Sequence, residues 1–443
     1  MKIVTSKKNQ LFGIASVPGD KSMSHRALML GSIASGRSHI RNFLAGRDCE
    51  ATLRVMQALG ANITRLSATE LFIDGNGWQG LKEPSDVLDC ANSGTTMRLL
   101  AGLLSGQPFV SILSGSDVIR RRPMGRVIAP LRSMGAQIFG RHDNQLAPLV
   151  ILPAASGLSS QTHTPTLASA QVKSALLLAG LYADKGDGET IVYEAIKTRD
   201  HTENMLASMG ADISYKPAGG CICVRALTQS LSPLTIDIPG DISSAAFLIL
   251  AATLCEGSEI TITGVGVNQT RTGFLDALNS MGANISLHNI RHRHNEPVAD
   301  IHVKASQLKA ATFDGAHIQT ARMIDELPLL VLAATQSAGI TRISNAAELT
   351  VKESNRIEST AGELRALGAR IETSGDGFVV EGPTPLTGTF TKSHGDHRLA
   401  MMLTIAGLVA DGITEVDGAE VIDDSFCGFT ETLSALGARV ENK

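Results

Sequence analysis

Six times along its 443 residues the chain writes one phrase: an apolar residue, two further positions, Met or Leu, then Gly-Ala, a polar residue and a β-branched one. The glycines are Gly60, Gly135, Gly210, Gly282, Gly368 and Gly437, so successive copies lie 75, 75, 72, 86 and 69 residues apart. Such even spacing implies one structural unit used six times. Each copy has the form of an amphipathic helix, such as Cys49 to Leu59, ended by a glycine that takes the left-handed turn and followed by a strand, such as Asn62 to Leu66. Upstream in each unit stands a more apolar helix: Ser22 to Ala34, Thr95 to Leu104, Gln171 to Ala183, Ser243 to Cys255, Leu327 to Thr335 and Arg398 to Val409. A β-branched strand follows it, Ser38 to Asn42 in the first copy. The unit therefore reads βαβαββ and the fold class α/β. A helix that is apolar nearly all round must be enclosed, so the apolar helices of several units are expected to share a core.

A larger duplication lies over the small one. Val17-Pro18-Gly19-Asp20-Lys21-Ser22 is echoed by Ile238-Pro239-Gly240-Asp241-Ile242-Ser243, and the two glycines are 221 residues apart, close to three repeat lengths. The echoes are expected to mark two crossings between domains, near 18–20 and 238–241. Residues 20–238 then form one three-unit domain, and 1–19 plus 239–443 form a second, discontinuous one. A linear solenoid is the competing architecture, but long mixed units and the paired Pro-Gly-Asp signals favour two globular domains.

Composition narrows the function. A net charge of −4 argues against a surface built chiefly for nucleic acid. The opening Met1-Lys2-Ile3-Val4-Thr5 lacks the parts of a signal peptide, and no apolar run is long enough to span a membrane, so the expected place of work is the cytosol. Six scattered cysteines, of which only Cys221 and Cys223 are close, read as reduced structural thiols rather than a metal site. Neither a zinc motif, a nucleophile elbow nor a phosphate-binding Walker loop is present.

What remains is a set of cationic helix starts. Asp20-Lys21-Ser22-Met23-Ser24-His25-Arg26 opens the first apolar helix, and Asn92-Ser93-Gly94-Thr95-Thr96-Met97-Arg98 opens another. Backbone amides at such a start can hold an anion, and Gly94 would let one approach closely. Arg120-Arg121-Arg122 forms a basic loop, while Lys352-Glu353-Ser354-Asn355-Arg356 and Asp396-His397-Arg398 place acids beside cations. Taken singly, the Lys21 motif reads equally well as a capped helix with exposed cations, and the Lys352 and Asp396 motifs read as surface or structural ion pairs before catalytic groups. Together they suggest a two-domain enzyme that closes around a ligand with several negative groups.

These motifs, with Arg122-Pro123-Met124 and Ser169-Ala170-Gln171, occur in an order that resembles the enolpyruvyl transferases from end to end, and within them the branch whose acceptor is shikimate 3-phosphate. The resemblance implies two domains of three βαβαββ units each, an inside-out α/β barrel-like arrangement, with the active site in the interdomain cleft. It implies that Lys21, Ser22, Arg26, Ser169, Ala170, Gln171, Asp325 and Lys352 bind shikimate 3-phosphate, with Arg199 on its phosphate. Lys21, Gly94, Arg122, Gln171, Arg356 and Arg398 then surround phosphoenolpyruvate. Asp325, Glu353 and Lys21 become the catalytic groups, with no cofactor and no metal, and the working form a monomer. Leu99, Ala170 and Asp424-Ser425-Phe426-Cys427 depart from the glyphosate-sensitive pattern, so reduced sensitivity is expected and a lysine contact to phosphoenolpyruvate is not carried over. Two rivals are a cell-wall transferase acting on a nucleotide sugar, which the Lys21 to Arg26 motif disfavours, and a binding protein without catalysis, which would be expected to have lost Asp325, Glu353 or Lys21.

Overall fold

A computed structural model describes all residues except 8–9, 187, 294 and 314–319. The chain divides into two compact units, one of Gly19–Ile238 with Arg293–Asn295, the other of Met1–Pro18, Pro239–His292 and Glu296–Lys443. Below they are the 19–238 unit and the 239–443 unit. Among the described residues there are six four-stranded sheets. In each, the first two strands run parallel and the third joins antiparallel, which is what a βαβαββ unit produces when a helix returns the chain between its first two strands.

Three of the sheets are built by consecutive strands; three borrow one from elsewhere in the chain. In the 19–238 unit, Thr235–Asp237 runs back to lie parallel to Ser35–Arg41, completing the first sheet with the last strand made. In the 239–443 unit, Lys2–Ser6 lies between Ile413–Asp417 and Arg439–Asn442, and Phe12–Ala15 runs parallel to Glu259–Gly266. Lys2 and Lys443 exchange backbone hydrogen bonds of 2.9 and 2.8 Å beside that edge.

The two helices of a unit differ as their sequences require. Every residue from Ile242 to Thr253 is buried in the Ile242–Leu254 helix, and all of Leu327–Thr335 is buried as well. The Arg356–Ala366 helix instead buries one stripe of Arg356, Ile357, Thr360, Ala361 and Leu364, and faces water with the rest. At about 1.5–3 kcal/mol for each large apolar side chain removed from water, the fully buried helices supply most of the drive to fold. They also pack closely. A Cβ on Gly102 would stand 2.1 Å from the Ala175 carbonyl oxygen, so the Gly94–Ser105 and Ala170–Gly180 helices meet at a point that only glycine allows.

The six repeat glycines all have positive φ, between +87° and +101°. Each follows the end of an amphipathic helix and turns the chain into the next strand.

Candidate active site

The buried helices of the 19–238 unit start at polar caps. Asp20 accepts from the Met23 amide at 2.9 Å, Ser93 from the Thr96 amide at 3.1 Å, and Ser169 from the Val172 amide at 3.4 Å. A capped start keeps the first-turn amides aligned, and their partial positive charge favours an anion. The sequence-expected ligands cluster at these starts. Lys21 and Ser22 open the Lys21–Ile33 helix, Gly94 opens Gly94–Ser105, and Ala170 and Gln171 open Ala170–Gly180.

Several of the partners are neutral. Arg26, buried, donates to Thr202 at 2.6 Å, to Ser174 at 2.8 Å and to the Ser22 carbonyl at 2.9 Å, tying three helices together. Arg98 donates to Gln171 at 2.6 Å and to the Pro123 carbonyl at 3.0 Å, and Gln171 in turn donates to Thr95 at 2.9 Å. Lys21 has an acid beside it, Asp48, at 2.5 Å. Gly94 faces two guanidiniums: a Cβ there would lie 3.0 Å from Arg98 and 3.2 Å from Arg122. Arg199 is half-buried next to Asp200, which pairs with Lys197 at 2.9 Å.

The 239–443 unit gathers the other candidates around one side chain. Arg356 is 1% exposed and Asp396 is fully enclosed; they join through two bonds of 2.7 and 3.2 Å. The same guanidinium donates to Glu353 at 2.7 Å and stands 3.4 Å from Asp325. Lys352 lies 3.6 Å from Asp325, and Arg398 lies 3.6 Å from Glu326 and 3.7 Å from Asp325. Glu326 accepts from Ser243, which also accepts from Arg271 at 2.8 Å, so the network reaches the helix start that echoes Lys21–Ile33.

Electrostatics follow from this crowding. Burial pushes the Lys352 ammonium below the usual lysine value, and the neighbouring Asp325 only partly restores it. For Arg356 burial acts in the same direction, but Asp396 and Glu353 outweigh it and hold the guanidinium firmly charged. Two carboxylates, Asp325 and Glu353, thus share one permanent cation. That arrangement can position two proton carriers a fixed distance apart.

The sequence did not single out Asp48, Glu326 or Arg271, and it gave Arg98 no role as a ligand. Asp48 gives no signal, because its pairing with Lys21 depends on how two helices pack. Arg98 stands inside a quoted motif, and its spacing of four from Gly94 puts it one helical turn away. In the region that departs from the glyphosate-sensitive pattern, Asp424 and Ser425 are buried and Cys427 is exposed.

The family model described as EPSP synthase (3-phosphoshikimate 1-carboxyvinyltransferase) matches residues 5–433. A 3-phosphoshikimate 1-carboxyvinyltransferase of Pelotomaculum thermopropionicum is 49% identical over 436 residues, 98% of this chain and 99% of the relative. Another, from Desulforudis audaxviator, is 50% identical over 426 residues, 96% of this chain and 97% of its own. Among solved structures, an EPSP synthase from Acinetobacter baumannii superposes with a TM-score of 0.86 at 40% identity, covering 99% of both chains.

Proposed function

We infer from its descent how the site works: the chain belongs to the EPSP synthase family and is a 3-phosphoshikimate 1-carboxyvinyltransferase of the shikimate pathway. It moves the enolpyruvyl group of phosphoenolpyruvate onto the 5-hydroxyl of shikimate 3-phosphate and releases phosphate, a step toward aromatic amino acids. Our reading of the residues is that the helix starts of the 19–238 unit hold the substrates' anionic groups, through Lys21, Ser22, Arg26, Ser169, Ala170, Gln171 and Arg199 for shikimate 3-phosphate. Lys21, Gly94 and Arg122, with Gln171, Arg356 and Arg398, take phosphoenolpyruvate, and Lys352 adds charge to the acceptor's side.

The observation that supports the catalytic assignment is the shared cation, Arg356, bonded to Glu353 and facing Asp325. Asp325 takes the proton of the attacking hydroxyl as the new C–O bond forms. Glu353 gives a proton to the methylene carbon, making a methyl group and a tetrahedral intermediate. In the second step the methyl returns a proton, the C–O bond to phosphate breaks, and the double bond re-forms. Lys21 stabilises the charge that moves onto the departing phosphate. All six cysteines are free and five are buried, which suits a reducing compartment and a cytosolic enzyme; we read the working form as a monomer.

The test follows inorganic phosphate release from phosphoenolpyruvate with either shikimate 3-phosphate or UDP-N-acetylglucosamine as acceptor. Release with the shikimate ester alone is expected. Release with the nucleotide sugar alone, or with neither, would overturn the assignment.

A further inference from the structure

Between the first two helix starts of the 19–238 unit runs a line of buried hydrogen bonds that the reaction above does not use. His25 Nδ1 lies 2.6 Å from Thr52 Oγ1, Thr52 Oγ1 lies 2.6 Å from Thr96 Oγ1, and Thr96 Oγ1 donates to Ser93 Oγ at 2.7 Å. All four side chains are completely enclosed. They come from three helices: His25 from Lys21–Ile33, Thr52 from Arg47–Ala58, and Thr96 from Gly94–Ser105, whose cap is Ser93.

Proton counting sets the direction. A threonine hydroxyl has one proton to give. Thr96 gives its proton to Ser93, so the short 2.6 Å contact takes the Thr52 proton in preference to the Asp48 carbonyl at 3.5 Å, and the bond at the far end comes from the N–H of His25. The imidazole is then neutral, protonated on Nδ1, and its Nε2 has no hydrogen-bond partner among the described residues. Burial, with Lys21 and Arg26 nearby and only Asp20 opposing, keeps this histidine well below its ordinary pKa, which agrees with the neutral form. A buried hydrogen-bonded line of this kind specifies geometry more than it adds stability.

The line ends on the Ser93 oxygen that also accepts from the Thr96 amide, at the residue before Gly94. At Gly94 both guanidiniums lie within 3.0–3.3 Å of a Cβ built there. We propose that His25, Thr52 and Thr96 are positioning residues that lock the head of the Gly94–Ser105 helix to the head of the Lys21–Ile33 helix, and so set the affinity for phosphoenolpyruvate. This rests on the reading that Lys21, Gly94 and Arg122 receive that substrate. The residues touch no substrate themselves; they fix the distance between groups that do.

The test is a steady-state comparison of Thr96→Ala, Thr52→Val and Thr52→Ser with the unaltered enzyme. Thr96→Ala keeps a good helix former and removes only the hydroxyl and a methyl, so it is the variant expected to fold in any case. Thr96→Ala and Thr52→Val should raise KM for phosphoenolpyruvate about tenfold, the scale on which a small misplacement of a binding group is felt, with KM for shikimate 3-phosphate nearly unchanged. Thr52→Ser, which keeps the hydroxyl, should restore the value. Equal rises in both KM values, or no rise in Thr96→Ala, would overturn the inference while leaving the function in place. An unaltered enzyme that does not turn over this substrate pair would overturn the function, and this inference with it.

Discussion

In the 19–238 unit the arginines Arg26 and Arg98 donate to hydroxyls, an amide and carbonyls, while Lys21 and Lys173 pair with acids; in the 239–443 unit Arg356 and Arg398 lean on carboxylates. Arg26 donates to Thr202, Ser174 and a carbonyl, and Arg98 to Gln171 and a carbonyl, whereas Arg356 meets Asp396, Glu353 and Asp325. The backbone plan is the same in both, three βαβαββ units with buried helices. Neutral partners orient a guanidinium without cancelling its charge, so that unit is suited to hold anions. Carboxylate partners cancel the charge and can themselves carry protons. On the roles proposed above, one duplicated fold separates binding from proton transfer through the choice of partner at a few helix starts.

The separation can be broken first at Glu353. Glu353→Gln keeps the shape and removes the titrating group, so kcat should fall by about 10²–10⁴, the usual contribution of a general acid or base, with both KM values near normal. A fall in affinity with kcat intact would place Glu353 on the binding side of the comparison.

The next effect is on stability. Asp396→Asn leaves the buried Arg356 without its main counter-charge and should cost about 3–5 kcal/mol, read as an early unfolding transition in urea. The counterpart in the other unit, Ser174→Ala, removes a neutral acceptor from Arg26 and should cost about 1.5–3 kcal/mol. Equal costs would mean that the two networks do not differ in kind.

A smaller effect is expected from Gly94→Ala. The added methyl meets Arg98 and Arg122 at 3.0–3.3 Å, so the guanidiniums must shift, and KM for phosphoenolpyruvate should rise about tenfold, roughly 1.4 kcal/mol. An unchanged KM would show that these two arginines have slack.

The finest test is a pH profile. Because burial holds Lys352 below the ordinary lysine value, it loses its charge earlier as pH rises, and binding of shikimate 3-phosphate should weaken on that limb. In Lys352→Arg the guanidinium stays charged, so the alkaline limb of kcat/KM should move to higher pH. The sign for stability is the reverse of a favourable ion pair: the charged lysine is a cost at neutral pH that fades as pH rises toward the unfolded lysine value. Coincident limbs for the two proteins would assign the titration to another group.

The sixfold plan was legible because a glycine that must turn left-handed after each amphipathic helix leaves an invariant mark, Gly-Ala, and all six such glycines have positive φ. The buried helices were legible for a similar reason, since an all-apolar run such as Ile242–Leu254 has nowhere to go but a core. Helix starts came within a few residues, shifted mostly because the cap lies just before the apolar stretch. Pairings were not legible. Lys21 with Asp48, and Arg356 with Asp396 forty positions later, join residues whose neighbourhood is decided by helix packing, and nothing local announces it. The Thr52 and Thr96 hydroxyls escaped notice too, being small polar residues on buried faces that read as tolerated rather than used.

The borrowed strands impose an order on biosynthesis. Once Thr235–Asp237 has left the ribosome, every strand of the first unit's sheets exists and that half can close. Lys2–Ser6, made first, has no partner until Ile413–Asp417 and Arg439–Asn442 are made last. For nearly the whole of translation this segment therefore waits as an unpaired edge, the kind of surface that pairs with whatever strand it meets. The chain's earliest residues depend on its latest, and the interval between them is when the newborn protein is most exposed to mistaken company.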